Sequence, residues 1–382
     1  MRLTKVYSQY LLPVGLVAGG IIGAGVFALP FAFNLSGLGI GFFYLATAVI
    51  AYCVIHLMYA DVIVRTPGQH RFVGYAQKYL GGRATLLAIF VAIVEMIFVL
   101  TIYLILAQSF LALVVPTAWP AARLIAFWLF GSVAIFWKLR QLALSELLVT
   151  VGIVAIIAVL AGLGLLSPGH LAQVPILGTG GALLVSLPAI LFALGGRFII
   201  PALVNYARGA GGDVHSVIRR GVLWGTMIPG AVYGLFVLGV LAISPAVSED
   251  AVGGLIGYVS PLVLAVIGVL GILTLWSSYI IAGLDVYDTL RYDVKLPPLA
   301  RLAVVIGAPI GLYYAGFNSF LSLVSFTGGV FLSFEGLLII LMWRAVNRSQ
   351  PSVLFKNRHR LAVPFLVAIF ITALFAVIFS GL

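Results

Sequence analysis

The stretch Pro13–Phe33, PVGLVAGGIIGAGVFALPFAF, constrains this chain more than any other. It is apolar and about as long as the 20 or so residues that a helix needs to cross a bilayer. A helix that only had to span would not carry Gly19, Gly20, Gly23 and Gly25 and then reach Pro30. Glycine costs roughly 1 kcal/mol per helical position relative to alanine, and proline about 3. The pattern predicts a helix that breaks at Gly23-Ala24-Gly25. Open backbone at membrane depth is tolerated only where protein buries it or where water or a ligand reaches it. Glycines four apart (Gly15, Gly19, Gly23) also fit a plainer purpose, the close approach of another helix.

A second copy favours the break. Leu191–Tyr206 reads LFALGGRFIIPALVNY, and Gly196, Phe198 and Pro201 recur at the offsets of Gly25, Phe27 and Pro30. A small residue precedes the glycine each time, Ala24 in one copy and Gly195 in the other. Corresponding broken segments in two halves of a membrane protein mark a binding site between inverted repeats.

Composition and charge supply the frame. With 63% hydrophobic and 8% charged residues, the chain lies far outside the soluble range and reads as an all-α integral membrane protein. Helical spans are predicted at roughly 10–33, 37–63, 84–115, 122–137, 144–166, 182–207, 221–244, 258–284, 299–315, 318–343 and 361–381; they are numbered 1 to 11 below. The first run is longer than a signal-peptide core and lacks a cleavage site, so it is expected to be retained. The single cysteine, Cys53, lies inside an apolar run and reads as packing.

The net charge of +11 would suggest nucleic acid as a partner of a soluble protein. Here the basic residues collect at one set of loops. They are Arg2 and Lys5; Arg65, Arg71, Lys78 and Arg83; Lys138 and Arg140; Arg208, Arg219 and Arg220; Arg291, Lys295 and Arg301; Arg344, Arg348, Lys356, Arg358 and Arg360. Only Arg123 and Arg197 fall elsewhere, and the opposite loops hold Glu249 and Asp250 or no charge. The positive-inside rule then predicts a cytoplasmic N-terminus, an extracytoplasmic C-terminus and no role for nucleic acid. Spans 1 and 6 run in opposite directions, so residues 1–166 and 182–345 are expected to be inverted five-helix repeats, with 361–382 an additional helix.

On these residues the chain resembles the amino acid–polyamine–organocation superfamily, whose fold is the LeuT-type five-plus-five inverted repeat. GGIIGAGVFALPFAF is similar to the span 1 signature of the amino acid/auxin permease and aromatic amino acid permease families. The glycine pair with IIPALVNY in span 6 is similar too, and WSSYIIAGLDVYDTL in span 8 more loosely so. The resemblance implies a secondary active permease that carries amino acids by alternating access, driven by H⁺ or Na⁺, with no other cofactor. Two alternatives stay open: an amino acid sensor on a transporter scaffold, and a membrane-embedded enzyme. The second lacks support, because the five histidines are scattered and no metal-binding or nucleophile motif occurs.

Candidate site residues follow. Half-helix ends at Ile22, Gly23, Ala24 and Gly25 and at Ala193, Leu194, Gly195 and Gly196 would free N–H groups for a carboxylate and carbonyls for an ammonium or Na⁺. Tyr103 in span 3 and Trp276 in span 8, with Tyr279, are candidate pocket walls, or simply packing. Ionisable residues inside spans are functional by default, which selects Glu95, Arg197 and Glu335. Arg197 is expected to pair with a carboxylate, Glu95 ahead of Glu335, either as a static lock or as a gate and proton-coupling site. Ser277 and Ser278 resemble the pair of hydroxyl residues that ligates Na⁺ together with span 1 backbone in the LeuT fold; such serines also bond neighbouring backbone. Span 5 has no lysine to replace a sodium, and Glu95, Glu335 or Asp61 are the candidate proton carriers. His56 reads as a satisfied packing histidine, Arg65–Arg83 as a loop with a short amphipathic helix, and Asp285, Asp288 and Asp293 beside Arg291 and Lys295 as a solvated end or inner gate.

Overall fold

The computed structural model describes residues 7–68, 70–136, 142–166, 168–355 and 361–379. Arg2, Lys5, Lys138, Arg140, Lys356, Arg358 and Arg360, which entered the charge argument, lie outside the described residues. All regular elements among the described residues are helical. In chain order they are α1 (Leu12–Ile21), α2 (Leu29–Ser36), α3 (Leu38–Arg65), α4 (Phe72–Leu80), α5 (Gly82–Val114), α6 (Pro120–Phe136), α7 (Leu142–Leu166) and α8 (Ser186–Leu194). Then come α9 (Ile200–Gly209), α10 (Val214–Ile243), α11 (Pro261–Tyr292), α12 (Pro298–Leu302), α13 (Ala308–Tyr314), α14 (Phe320–Phe326), α15 (Leu332–Ser349) and α16 (Ala362–Phe379).

Among the described residues, seven segments are long and apolar enough to cross a membrane: α3, α5, Gly180–Gly209 (which contains α8 and α9), α10, α11, Phe320–Ser349 (α14 and α15) and α16. The pair Tyr7–Ile21 and Ala24–Ser36, bent by 52° at its break, makes an eighth. Predicted spans 4, 5 and 9 coincide with shorter apolar helices, Pro120–Ile135, Val151–Leu166 and Pro298–Tyr314; eleven crossings require these to span as well.

Several helices outrun their predicted ends, α10 and α11 by the most. α11 continues to Tyr292, so Asp285, Asp288 and Arg291 lie on a helix rather than in a loop. Its 32 residues measure about 48 Å against a hydrocarbon core of about 30 Å, so its last turns emerge from the apolar layer and carry charge without penalty. α10 likewise starts seven residues early, at Val214, where the Asp213 side chain accepts from the His215 N–H at 3.2 Å. Span 10 holds an interruption that its hydropathy hides, a π-helical turn at Thr327–Phe331 where Gly328 and Gly329 press on α8 and α16. The expected amphipathic helix is α4, which buries Phe72, Val73, Tyr75 and Ala76.

One ionic knot fastens the end of α3 to α15 and the strand of chain beyond it. Asp61 Oδ2 accepts from Arg65 Nη2 at 2.5 Å, Trp343 Nε1 at 2.8 Å and Ser352 Oγ at 2.9 Å. Its Oδ1 accepts from the N–H groups of Val353 at 3.1 Å and Leu354 at 3.0 Å. Arg65 Nη1 donates onward to Asn347 Oδ1 and the Gln350 carbonyl. With both oxygens filled by donors, Asp61 is an anchor, and the sequence-based suggestion of a proton carrier does not fit it. At the other end of α10, Glu249 accepts from Ser319 Oγ and the Leu321 N–H, capping α14.

Asp61→Ala strands the Arg65 guanidinium, whose side chain is 3% exposed, without a counter-charge. Loss of one partner of a buried pair costs about 3–5 kcal/mol. The variant is therefore expected to unfold at clearly lower temperature in detergent, and an unchanged melting curve would contradict the anchoring role.

Candidate functional site at two facing helix breaks

Both predicted breaks exist, and they face each other. α1 ends at Ile21; Ile22 (φ −69°, ψ 105°) and Gly23 (φ −145°, ψ −163°) are extended, and a 3₁₀ turn over Ala24–Ala28 leads into α2. α8 ends at Leu194; Gly195 (φ −60°, ψ 125°) and Gly196 (φ −155°, ψ 23°) leave the helix, and Arg197–Ile199 forms the 3₁₀ turn before α9. The first break thus lies at Ile22-Gly23, slightly earlier than the sequence placed it, and Ala24 and Gly25 already belong to the following turn. Pro30 and Pro201 sit in the first turns of α2 and α9, where a missing N–H leaves no bond unmade.

The two breaks are in direct contact. A Cβ built on Gly25 would lie 2.6 Å from Ala193 Cα, and one on Gly196 2.6 Å from Ile21 Cγ1. Only glycine allows this approach, since the obstacle at Gly25 is backbone. A side chain that the sequence did not single out joins them. The Tyr233 hydroxyl, from α10, lies 2.9 Å from the Ile21 carbonyl and 3.0 Å from the Ala193 carbonyl, sharing its proton between the last turns of α1 and α8. Tyr52 from α3 donates to the Leu191 carbonyl at 2.8 Å. A tyrosine in mid-span between Gly230 and Gly234 was the available signal for Tyr233.

Charges border the second break. Arg197 Nε donates to Glu335 Oε2, and the guanidinium lies over the Phe72 ring of α4, 4.4 Å from its centroid. The arginine's carboxylate is therefore Glu335, where the sequence reading put Glu95 first. The reason is placement: Glu335 is in the first turn of α15, and Leu332, one turn earlier, already packs on Gly195. Glu95 of α5 neighbours Glu335 and Arg197, and its Oε2 has no hydrogen-bonding partner among the described residues. Two carboxylates and one guanidinium share this pocket.

Other candidates divide. Tyr103 of α5 neighbours Ser278 of α11 and Tyr233, so it stands near the breaks. Trp276 Nε1 and Ser277 Oγ are buried without partners among the described residues. Tyr279 does not line this site: its ring packs on Gly131 and Phe127 of α6. The breaks lie closed on each other in this conformation. A cavity of about 470 Å³ lies between Ala112–Pro116 and Ile256–Leu264. The described residues include no group of three or more His, Cys, Asp or Glu that could hold a metal ion.

At the emergent end of α11, Arg71 Nη2 meets Asp288 at 3.1 Å and Nη1 meets Asp285 at 3.8 Å, linking the start of α4 to α11. Burial raises the Asp293 carboxyl above its usual range and Arg71 draws it back. These half-exposed pairs are worth at most about 1 kcal/mol, so the contact can open readily.

The sequence matches the tryptophan/tyrosine permease family over residues 8–374. The chain belongs to that family. Solved structures similar to this permease include Mhp1, a nucleobase-cation-symport-1 family transporter in a closed conformation with bromovinylhydantoin bound (TM-score 0.63, 15% identity, covering 97% of this chain and 91% of that one). MhsT in complex with L-phenylalanine aligns with TM-score 0.59 at 16% identity over 97% of both chains. A manganese transporter from Eremococcus coleocola aligns with TM-score 0.58 at 14% identity, covering 100% of this chain and 95% of that one. No curated protein matches the sequence. The permease is a secondary transporter with the LeuT fold, and not an enzyme.

If Tyr233 holds both breaks, Tyr233→Phe frees two buried carbonyls at once. A hydrogen bond worth about 1 kcal/mol corresponds to roughly fivefold faster amide exchange. Exchange is expected to rise together in residues 22–28 and 195–199, measured by mass spectrometry; a rise at one break alone would contradict the bridge.

Proposed function

We propose that the permease carries amino acids, aromatic ones in particular, across the cytoplasmic membrane by alternating access, with the substrate backbone held between the two breaks. The observation that carries this reading is the convergence of the Ile21 and Ala193 carbonyls on one hydroxyl. Each carbonyl oxygen has two lone pairs, so a substrate ammonium can join Tyr233 at the same two acceptors. The 3₁₀ turns that follow, Ala24–Ala28 and Arg197–Ile199, present N–H groups suited to the α-carboxylate. Ile22, Gly23, Ala24 and Gly25 with Ala193, Leu194, Gly195 and Gly196 thus form the backbone site, and Tyr103 and Trp276 its walls. The family's description and the phenylalanine in the MhsT complex favour an aromatic side chain.

The matched breaks support two inverted repeats, residues 1–166 and 182–345, with 361–382 appended. The collection of basic residues at one set of loops supports a cytoplasmic N-terminus and an extracytoplasmic C-terminus.

Coupling to protons is assigned to Glu95, Glu335 and Arg197. One guanidinium neutralises one carboxylate, and Glu95 is the carboxyl with an uncommitted oxygen, free to load and release a proton as the helices rearrange. Sodium is the second reading, favoured by the unpartnered Ser277 Oγ, which with Ser278 and span 1 carbonyls would supply oxygen ligands.

Uptake of labelled L-tryptophan into proteoliposomes tests both. With one proton per substrate, a gradient of about one pH unit sustains about tenfold accumulation, 1.4 kcal/mol being a factor of ten. Glu95→Gln is expected to abolish that accumulation while leaving exchange of internal for external substrate. A Na⁺ requirement lost in Ser277→Ala would replace the proton by sodium, and binding without any uptake would make the protein a sensor.

A further inference from the structure

His56, in the middle of α3, is 1% exposed, and the structure does not satisfy it as the sequence suggested. Its Nδ1 lies 3.4 Å from Thr226 Oγ1 of α10, a residue itself fully buried. Its Nε2 is buried with no partner among the described residues. An unsatisfied polar group in the interior costs about 1–3 kcal/mol, which a leucine at the same place would avoid.

The imidazole edge that carries the orphan nitrogen reaches the second break. A Cβ built on Gly196 would lie 3.5 Å from His56 Cε1, the ring carbon bonded to both nitrogens. Tyr52, one turn earlier on the same face of α3, has its ring 5.2 Å from the imidazole and its hydroxyl on the Leu191 carbonyl. His56 therefore flanks the second break on the α3 and α10 side, so a ligand that parts the breaks comes within reach of its ring.

The chemistry of the missing partner follows from the pairing of the ring. Cys53, whose Sγ donates to the Leu223 carbonyl, neighbours Thr226 and can take the threonine's hydroxyl proton, so that Thr226 Oγ1 accepts the Nδ1–H. Nε2 is then a lone-pair acceptor that needs a donor. The ammonium of an amino acid already has acceptors at Ile21 and Ala193, and its carboxylate donates nothing. The remaining donor is on the side chain. We propose that His56 Nε2 accepts a hydrogen bond from a ring-borne N–H or O–H of the substrate, so that this residue selects indole and phenol side chains over a plain phenyl ring. The inference rests on the aromatic amino acid site described above.

The test is inhibition of labelled L-tryptophan uptake into proteoliposomes by tryptophan, tyrosine, phenylalanine and 3-benzothienyl-alanine, in which sulfur replaces the indole N–H. Wild-type protein is expected to bind the first two at least about tenfold more tightly than the last two, since a site built to pair a substrate N–H or O–H rejects analogues that lack it. In His56→Leu the preference should collapse through weaker tryptophan and tyrosine, with phenylalanine changed less than about twofold; His56→Gln, which keeps an acceptor oxygen, should retain part of it. Equal affinity for tryptophan and the benzothienyl isostere on wild-type protein, a comparison that needs no variant, would overturn the proposal. So would an equal loss for all four compounds in His56→Leu, the result of a structural role. Absence of aromatic amino acid uptake by wild-type protein would instead remove the substrate reading itself, and this inference with it.

Discussion

Backbone groups opened inside a bilayer have no water to bond to, and this structure depends on how two such openings are satisfied. α1 and α8 each stop short, and the openings are set against one another, so that protein covers both. Glycine at positions 25 and 196 permits the contact, and Tyr233 supplies one hydroxyl to both freed carbonyls. The same shortage of partners that makes the breaks costly makes them selective. A zwitterion brings the donors and acceptors that a lipid tail or an apolar side chain lacks.

The two buried ion pairs near these helices have different characters. Asp61 and Arg65 are saturated: five donors fill the carboxylate, and the guanidinium has carboxamide and carbonyl acceptors besides. Moving any member breaks several bonds, as suits a fixed joint between α3 and α15. Arg197 and Glu335 are instead accompanied by Glu95, a carboxyl with an oxygen to spare. One guanidinium with two carboxyl groups leaves a second acceptor beside the pair, and it is this surplus, absent from the Asp61 knot, on which the proposed coupling role rests.

Much of this was legible in the sequence because membranes impose long, simple patterns. Hydropathy located eight of the predicted spans and the shorter apolar helices at the other three, the repeated glycine–phenylalanine–proline spacing located both breaks to within about two residues, and a lone arginine in span 6 required a carboxylate. The choice between Glu95 and Glu335 was not legible. Both lie on other helices at comparable depth, and the decision came from the packing of Leu332 on Gly195. Tyr233 and His56 were hidden for a related reason: a tyrosine or histidine in an apolar run resembles packing until the atoms opposite it are known. The overrun of α11 to Tyr292 was missed because hydropathy marks where the apolar layer ends, not where the helix does. The π turn at Thr327–Phe331 leaves no hydropathic trace.

If the substrate's backbone groups sit between the breaks, a high-resolution structure of the protein with L-tryptophan bound will show it. The ammonium is expected within about 3 Å of the Ile21 and Ala193 carbonyls, hydrogen-bond distance, and the carboxylate at the turns that begin with Ala24 and Arg197. Tryptophan seated instead in the cavity between Ala112–Pro116 and Ile256–Leu264, with the breaks still closed on each other, would contradict it.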